Sequence, residues 1–281
     1  MKLVRYIEKM RHQEVWGVLD GQSVYKLLGD PLGDWQQGEE IGPLDHQQLL
    51  APCRPRKVIA AAINYYGATD WEESQTEPVF FLKSPTSVCS AYSTIVSAFD
   101  DVPTWGEAEL AIVIGKTIKE AQSFEEAESS IFGYTVANDA SCENLGQRDH
   151  HLARSKAADT FCPLGPYIDT EYDWHNKKIE GWHNNTLVRA GNTDSLFWDP
   201  IRIVKELSQW MTLEPWDIIL TGSPPLTCPL SYFEDGDWFV GKVEGFPDIR
   251  SSFQQSRPIS AGAREKFSMQ KASDSGSQRI Y

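Results

Sequence analysis

The chain has 281 residues, 41% of them hydrophobic and 23% charged, the composition of a folded globular protein with room for a sizeable core. The 40 acidic and 26 basic side chains give a formal net charge of -14, which argues against a basic phosphate-binding surface and so against a nucleic-acid partner. No run approaches the ~18 apolar residues of a membrane span, and the opening MKLVRYIEKMRHQEVWGVLDG lacks the apolar centre of a signal peptide. A cytoplasmic location with no membrane partner is expected. The five cysteines, Cys53, Cys89, Cys142, Cys162 and Cys228, are odd in number, widely spaced and without a C-x-x-C pair. They read as small apolar side chains rather than a disulfide framework or a zinc site.

Residues 1–52 alternate short apolar patches with Gly and Asp, which predicts hairpin-forming β-structure with Asp20-Gly21 as a turn. The prolines of APCRPRK (51–57) interrupt this pattern, and KVIAAAINY begins a new strand. A small N-terminal β-rich domain over 1–52 is therefore expected ahead of a larger domain over 57–255. In the larger domain the strand patterns VFFLK, AELAIVIG, IFGYTVAND, DIILTG and DWFVGKVEGF outnumber two helical ones. SFEEAESS has a capping signature at Ser123, and DPIRIVKELSQWM has Asp199 as cap with Pro200 in the first turn. The expected class is α+β, mostly β. Residues 256–281 lose apolar periodicity and gain Ser, Lys and Gly, so a polar, disordered tail is expected.

The stretch WGEAELAIVIG (105–115) sets two carboxylates, Glu107 and Glu109, at the head of a run that reads as a strand buried on both faces. Side chains two apart in a strand share a face, so the two charges repel and must be neutralised. Asp139 ends the apolar strand IFGYTVAND, and Lys156 follows in ARSKAADTFCPLGP. Three carboxylates from strand ends with a nearby lysine make an oxygen-rich site suited to a hard cation such as Mg²⁺.

Seven stretches in order carry a resemblance to a known family: KVIAAAINY at 57, EPVFFLKSPTS at 77, GEAELAIVIG at 106, FGYTVAND at 132, DTFCPLGPYI at 159, GNTDSLFW at 191 and MTLEPWDIILTGSP at 211. In these the chain resembles the fumarylacetoacetate hydrolase superfamily, within it the smaller acylpyruvase and 2-oxo acid decarboxylase-like members. The resemblance implies a β-sandwich roll behind a small N-terminal domain, assembled as a homodimer. It implies Mg²⁺ or Mn²⁺ held at Glu107, Glu109 and Asp139, an active-site lysine at Lys156 and a substrate-contacting threonine at Thr221. Asn64 and Tyr65 would line the pocket, with Lys83 in the strand region that follows.

The resemblance also implies a chemistry. A small 2-oxo or 2,4-dioxo acid would chelate the cation, which would stabilise the enolate formed when the adjacent carbon bond breaks. C–C hydrolysis is the family's commonest use of that device, and decarboxylation and keto–enol isomerisation are others. The chain departs from the family's Asn-Tyr-x-x-His-x-x-Glu pattern, since Ala68 stands at the histidine position and Trp71 at the glutamate position. SCEN (141–144) replaces the family's SARD, and PLTCPLS replaces its glycine-rich continuation after the threonine. His150 and His151 are candidate substitute bases, about evenly weighed against an exposed polar loop. Asp70, Glu72 and Glu73 are others, against a solvated turn. C–C hydrolysis is expected first, with a lyase or isomerase and a silent binding subunit as the alternatives.

Overall fold

Alternating apolar and polar residues set the first four strands, β1 (Lys2–Glu8), β2 (Gln13–Asp20), β3 (Ser23–Gly29) and β4 (Trp35–Pro43), each antiparallel to the one before. The computed structural model describes residues 1–9, 11–68, 77–97, 99, 102–144 and 149–256. At the turn between β2 and β3, Gly21 has φ 58°, a left-handed conformation glycine adopts without strain. This is the turn that Asp20-Gly21 announces. β1 also pairs antiparallel with the strand Tyr167–Asp169, so the N-terminal strands continue the main sheet instead of forming one of their own.

That sheet has twelve strands among the described residues. From β1 it runs through Tyr167–Asp169, Ile131–Asn138, Ala108–Ile114 and Ile218–Leu220 to β5 (Val58–Ala62) and the edge strand β6 (Val79–Lys83). A five-stranded sheet follows the order Thr186–Asn192, Lys178–His183, Trp238–Val243, Ile249–Gln254, Ile95–Val96. The strand Ala108–Ile114 is buried throughout. Leu110, Ile112 and Ile114 belong to one apolar cluster, while Ala111 and Val113 belong to a second on the other face. Burial on both faces explains why AELAIVIG shows no polar alternation after its glutamate.

Helices are few, and the fold is mostly β, as the sequence predicts. Helix α1 (Phe124–Ser129) is capped by Ser123 Oγ, which accepts from Glu126 N–H at 3.2 Å. Helix α2 (Ala153–Lys156) is a single turn with no sequence signal ahead of it. In α3 (Pro200–Trp210), Asp199 Oδ1 accepts from Arg202 N–H at 2.9 Å, and Ile203, Val204 and Leu207 face the core. No described helix is long and apolar enough to cross a membrane. Of the expected polar tail over 256–281, residues 257–281 lie outside the described residues.

Candidate active site

Strand register brings the acidic residues together. Glu109, in Ala108–Ile114, lies on the face of Ala111 and Val113 and pairs in register with Ala137. Asp139 follows two residues beyond Ala137, and its N–H donates to Glu107 O at 2.8 Å, which closes the strand ends on each other. Glu107 N–H donates to Asn138 Oδ1 at 2.9 Å. One carboxylate oxygen from each of Glu107, Glu109 and Asp139 lies within 4.8 Å of the others.

Three cations answer the repulsion that the sequence poses. Lys156 Nζ, at the end of α2, donates to Glu107 Oε2 at 2.7 Å and to Asp139 Oδ2 at 2.6 Å. Lys83 Nζ, at the end of β6, donates to Asp139 Oδ1 at 2.5 Å and to Ala140 O at 3.2 Å. Arg189 Nη2, from Thr186–Asn192 in the second sheet, donates to Glu107 Oε1 at 2.7 Å, and Trp105 Nε1 donates to the same oxygen at 3.0 Å. Arg189 and Trp105 escaped the sequence reading. Their signals were a lone basic residue among apolar neighbours at 187–190 and an indole two residues before Glu107.

Glu109 differs from its neighbours. It is 2% exposed, accepts from Gly222 N–H at 2.6 Å, and has no cationic partner among the described residues. Burial, then the charges of Asp139 and Glu107, push its carboxyl well above its ordinary range. Burial acts the same way on Glu107, but Lys156 and Arg189 outweigh it and hold that carboxyl down to about 2. Burial opposes the charge on Lys156, yet Asp139 and Glu107 keep its ammonium protonated far above the usual lysine range. Gly222 has φ 95°, and a Cβ there would meet Asn64 Cβ at 2.9 Å, so a glycine is needed to aim this N–H at Glu109.

The remaining candidates fall into three groups. Asn64 is committed to the backbone: its amide donates to Trp198 O (2.9 Å) and Thr221 O (2.8 Å) and accepts from Trp198 N–H (2.9 Å). It fixes a loop in which Ile63 takes φ 51°, a conformation costly for a β-branched residue. The Thr221 hydroxyl donates to Leu110 O at 3.0 Å. Tyr65 is fully buried, its hydroxyl has no hydrogen-bond partner among the described residues, and burial followed by the charge of Glu109 raises its pKa. Lys83, in the strand region that follows, pairs with Asp139. His150 and His151 are exposed in the turn ahead of α2, with no hydrogen bond to the carboxylates among the described residues. Asp70, Trp71, Glu72 and Glu73 lie outside the described residues, while Ala68 is half-buried against the core.

These residues fit a hard divalent cation. The donors are all oxygens, one of them belongs to a buried carboxylate with no ion pair among the described residues, and the charge of that carboxylate helps raise the pKa of the buried Tyr65 hydroxyl. The site gathers three oxygen donors at one end of a mostly β sheet. The chain belongs to the fumarylacetoacetate hydrolase family: residues 57–254 match the family described as Fumarylacetoacetate (FAA) hydrolase C-terminal. Residues 1–52 match the family described as Rv2993c-like, N-terminal.

Similar proteins include the mitochondrial oxaloacetate tautomerase FAHD2B of Bos taurus, 35% identical over 193 residues, 65% of this chain and 60% of that protein. Among solved structures, 5-carboxymethyl-2-hydroxymuconate delta-isomerase from Mycobacterium smegmatis has a TM-score of 0.80 at 32% identity, covering 91% of this chain and 100% of that one. Maleylpyruvate hydrolase from Sphingobium sp. SYK-6, solved with manganese (II) ion and pyruvate, has a TM-score of 0.72 at 25% identity, covering 92% and 100%.

Proposed function

We propose that this chain is a divalent-cation-dependent enzyme that moves a proton between carbon and oxygen of a small 2-oxo acid, as a keto–enol tautomerase or isomerase. The observation that carries this reading is Ala68. A methyl group stands where the family's hydrolases have the histidine that activates water, and it packs against the core. The sequence's substitute bases, His150 and His151, are exposed and unconnected to the carboxylates among the described residues. Similarity to a tautomerase and an isomerase supports the same reaction class.

Glu107, Glu109 and Asp139 would hold Mg²⁺ or Mn²⁺, which when bound supplies Lewis-acid stabilisation to the substrate's 2-oxo oxygen. Lys156 Nζ holds a proton and a positive charge beside that position, and Lys83 Nζ holds a second behind Asp139. Tautomerisation removes a proton from the carbon next to the 2-oxo group and places one on its oxygen. No water is consumed, so no water-activating pair is needed.

The likeness to maleylpyruvate hydrolase favours a second reading, C–C hydrolysis of a 2,4-dioxo acid at the same site. Restoring the family pair as Ala68→His with Trp71→Glu separates the two. A general base contributes ~10²- to 10⁴-fold. The double variant should therefore raise acylpyruvate hydrolysis by at least tenfold over a feeble wild-type rate. Brisk wild-type hydrolysis in a coupled pyruvate assay counts for the hydrolase instead.

The proposal extends to a homodimer. Among the described residues β6 is an edge strand that exposes Val79 and Leu82, an open ladder of the kind proteins usually cover. Sedimentation equilibrium at micromolar concentration should give twice the chain mass, and a monomer mass throughout that range counts against association.

A further inference from the structure

Resting on the reading above, we infer that Arg189 is the anchor for a second carboxylate of the substrate, so that the site selects 2-oxo dicarboxylates over 2-oxo monocarboxylates. The first argument is donor capacity. A guanidinium has five N–H groups. In this structure Nη1 donates to Pro224 O at 2.9 Å and Nη2 to Glu107 Oε1 at 2.7 Å, while Nε is buried with no partner among the described residues. The side chain is 12% exposed, so its charge sits in a weakly screened environment next to the acidic cluster. Most of the fork is uncommitted. Carboxylates are the groups such a fork binds best, in paired hydrogen bonds that a lysine cannot imitate.

The second argument is charge. Glu107, Glu109 and Asp139 face Lys83, Lys156 and Arg189, three carboxylates against three cations. A divalent cation on the ionised carboxylates leaves the cluster with two surplus positive charges. A dicarboxylate balances them, and a monocarboxylate leaves one unmatched.

The third argument is that Arg189 is built in place. Residues 224–227 run along the edge of Thr186–Asn192. Leu226 bridges antiparallel to Arg189, Ala190 N–H donates to Pro225 O at 3.3 Å, and Thr227 N–H donates to Val188 O at 3.0 Å. Thr227 Oγ1 adds a bond to Leu187 O at 2.6 Å. This lattice carries Pro224 O to the guanidinium and fixes its plane before any ligand arrives. Preorganisation of this kind spares a binding site the cost of ordering an arginine.

The test uses two stable, unreactive 2-hydroxy acids that differ by one carboxylate, malate and lactate, titrated calorimetrically in the presence of Mg²⁺. Wild-type protein should bind malate about 10- to 100-fold more tightly than lactate, the range of a charge-assisted hydrogen-bonded pair. Arg189→Met should collapse that preference to near unity while lactate and Mg²⁺ still bind. Arg189→Lys, which keeps the charge without the fork, should fall between the two. A preference that survives in Arg189→Met overturns the inference, as does a loss shared equally by malate, lactate and Mg²⁺, which marks Arg189 as a support for Glu107 only. Equal binding of the two acids by wild type overturns the anchor but leaves the 2-oxo acid site standing. Wild-type protein that binds neither acid with Mg²⁺ overturns both. Circular dichroism and thermal melts identify any variant that fails to fold, and the wild-type malate-to-lactate ratio decides the question in that event.

Discussion

A Glu107→Gln/Glu109→Gln protein should bind no Mg²⁺ in a calorimetric titration, whereas wild type should bind one ion per chain. The amides keep the shape of the side chains and remove two of the three anionic ligands, and a hard cation gains little from neutral oxygens in an otherwise cationic pocket. The wild-type affinity should also depend on pH with a definite sign. Glu109 has its pKa raised in the ion-free protein, so the ion-free state carries the extra proton that cation binding must expel. Affinity therefore rises with pH up to that raised pKa and levels off above it. By the same linkage, Glu109 destabilises the ion-free fold as pH climbs from the ordinary carboxylate pKa through its raised one. Glu107 acts oppositely. Its pKa is held down to about 2, so its stabilisation is present above the ordinary carboxylate pKa and lost as pH falls toward 2. Undiminished Mg²⁺ binding in the double variant shows that the ligands have been misassigned.

Lys83→Met should lower the stability of the ion-free protein by about 3 kcal/mol, the low end of the usual cost of removing one partner of a buried ion pair, because Lys156 still pairs with Asp139 Oδ2. Both members of the Lys83–Asp139 pair are essentially inaccessible, at 0% and 1% side-chain exposure, so water cannot replace the missing ammonium. At ~2–4 °C per kcal/mol for a domain of this size, the melting temperature should fall by roughly 10 °C. Saturating Mg²⁺ should recover part of the loss, because the cation supplies Asp139 with a substitute positive charge. A loss below about 1 kcal/mol in chemical denaturation, with no Mg²⁺ dependence, contradicts the role given to this lysine.

Much of this site was legible in the residues. Strand periodicity put Glu107 and Glu109 on one face, the capping residues Ser123 and Asp199 marked two helix starts, and family order supplied Asp139 and Lys156. Three things escaped. The continuity of β1 with Tyr167–Asp169 joins residues more than 160 positions apart, and nothing local encodes such a pairing. The hairpin Lys178–His183 and Thr186–Asn192 has interspersed glycine and polar residues that blur its period, so Arg189 could not be placed opposite Glu107. The pairing of Lys83 with Asp139 is set by where β6 lies in the sheet rather than by spacing. The stretch PLTCPLS reads in the sequence as a replacement of the family's glycine-rich continuation after the threonine. In the fold its first residues adjoin the strand that carries Arg189.

Deuterium uptake at the carbon next to the 2-oxo group, followed by proton NMR in heavy water across a panel of 2-oxo and 2,4-dioxo acids that includes oxaloacetate, tests the central claim most directly. The account predicts exchange that requires Mg²⁺ or Mn²⁺, is abolished in Glu107→Gln/Glu109→Gln, and runs at least tenfold ahead of any cleavage product seen by mass spectrometry. Cleavage that keeps pace with exchange, or exchange indifferent to the cation, would contradict it.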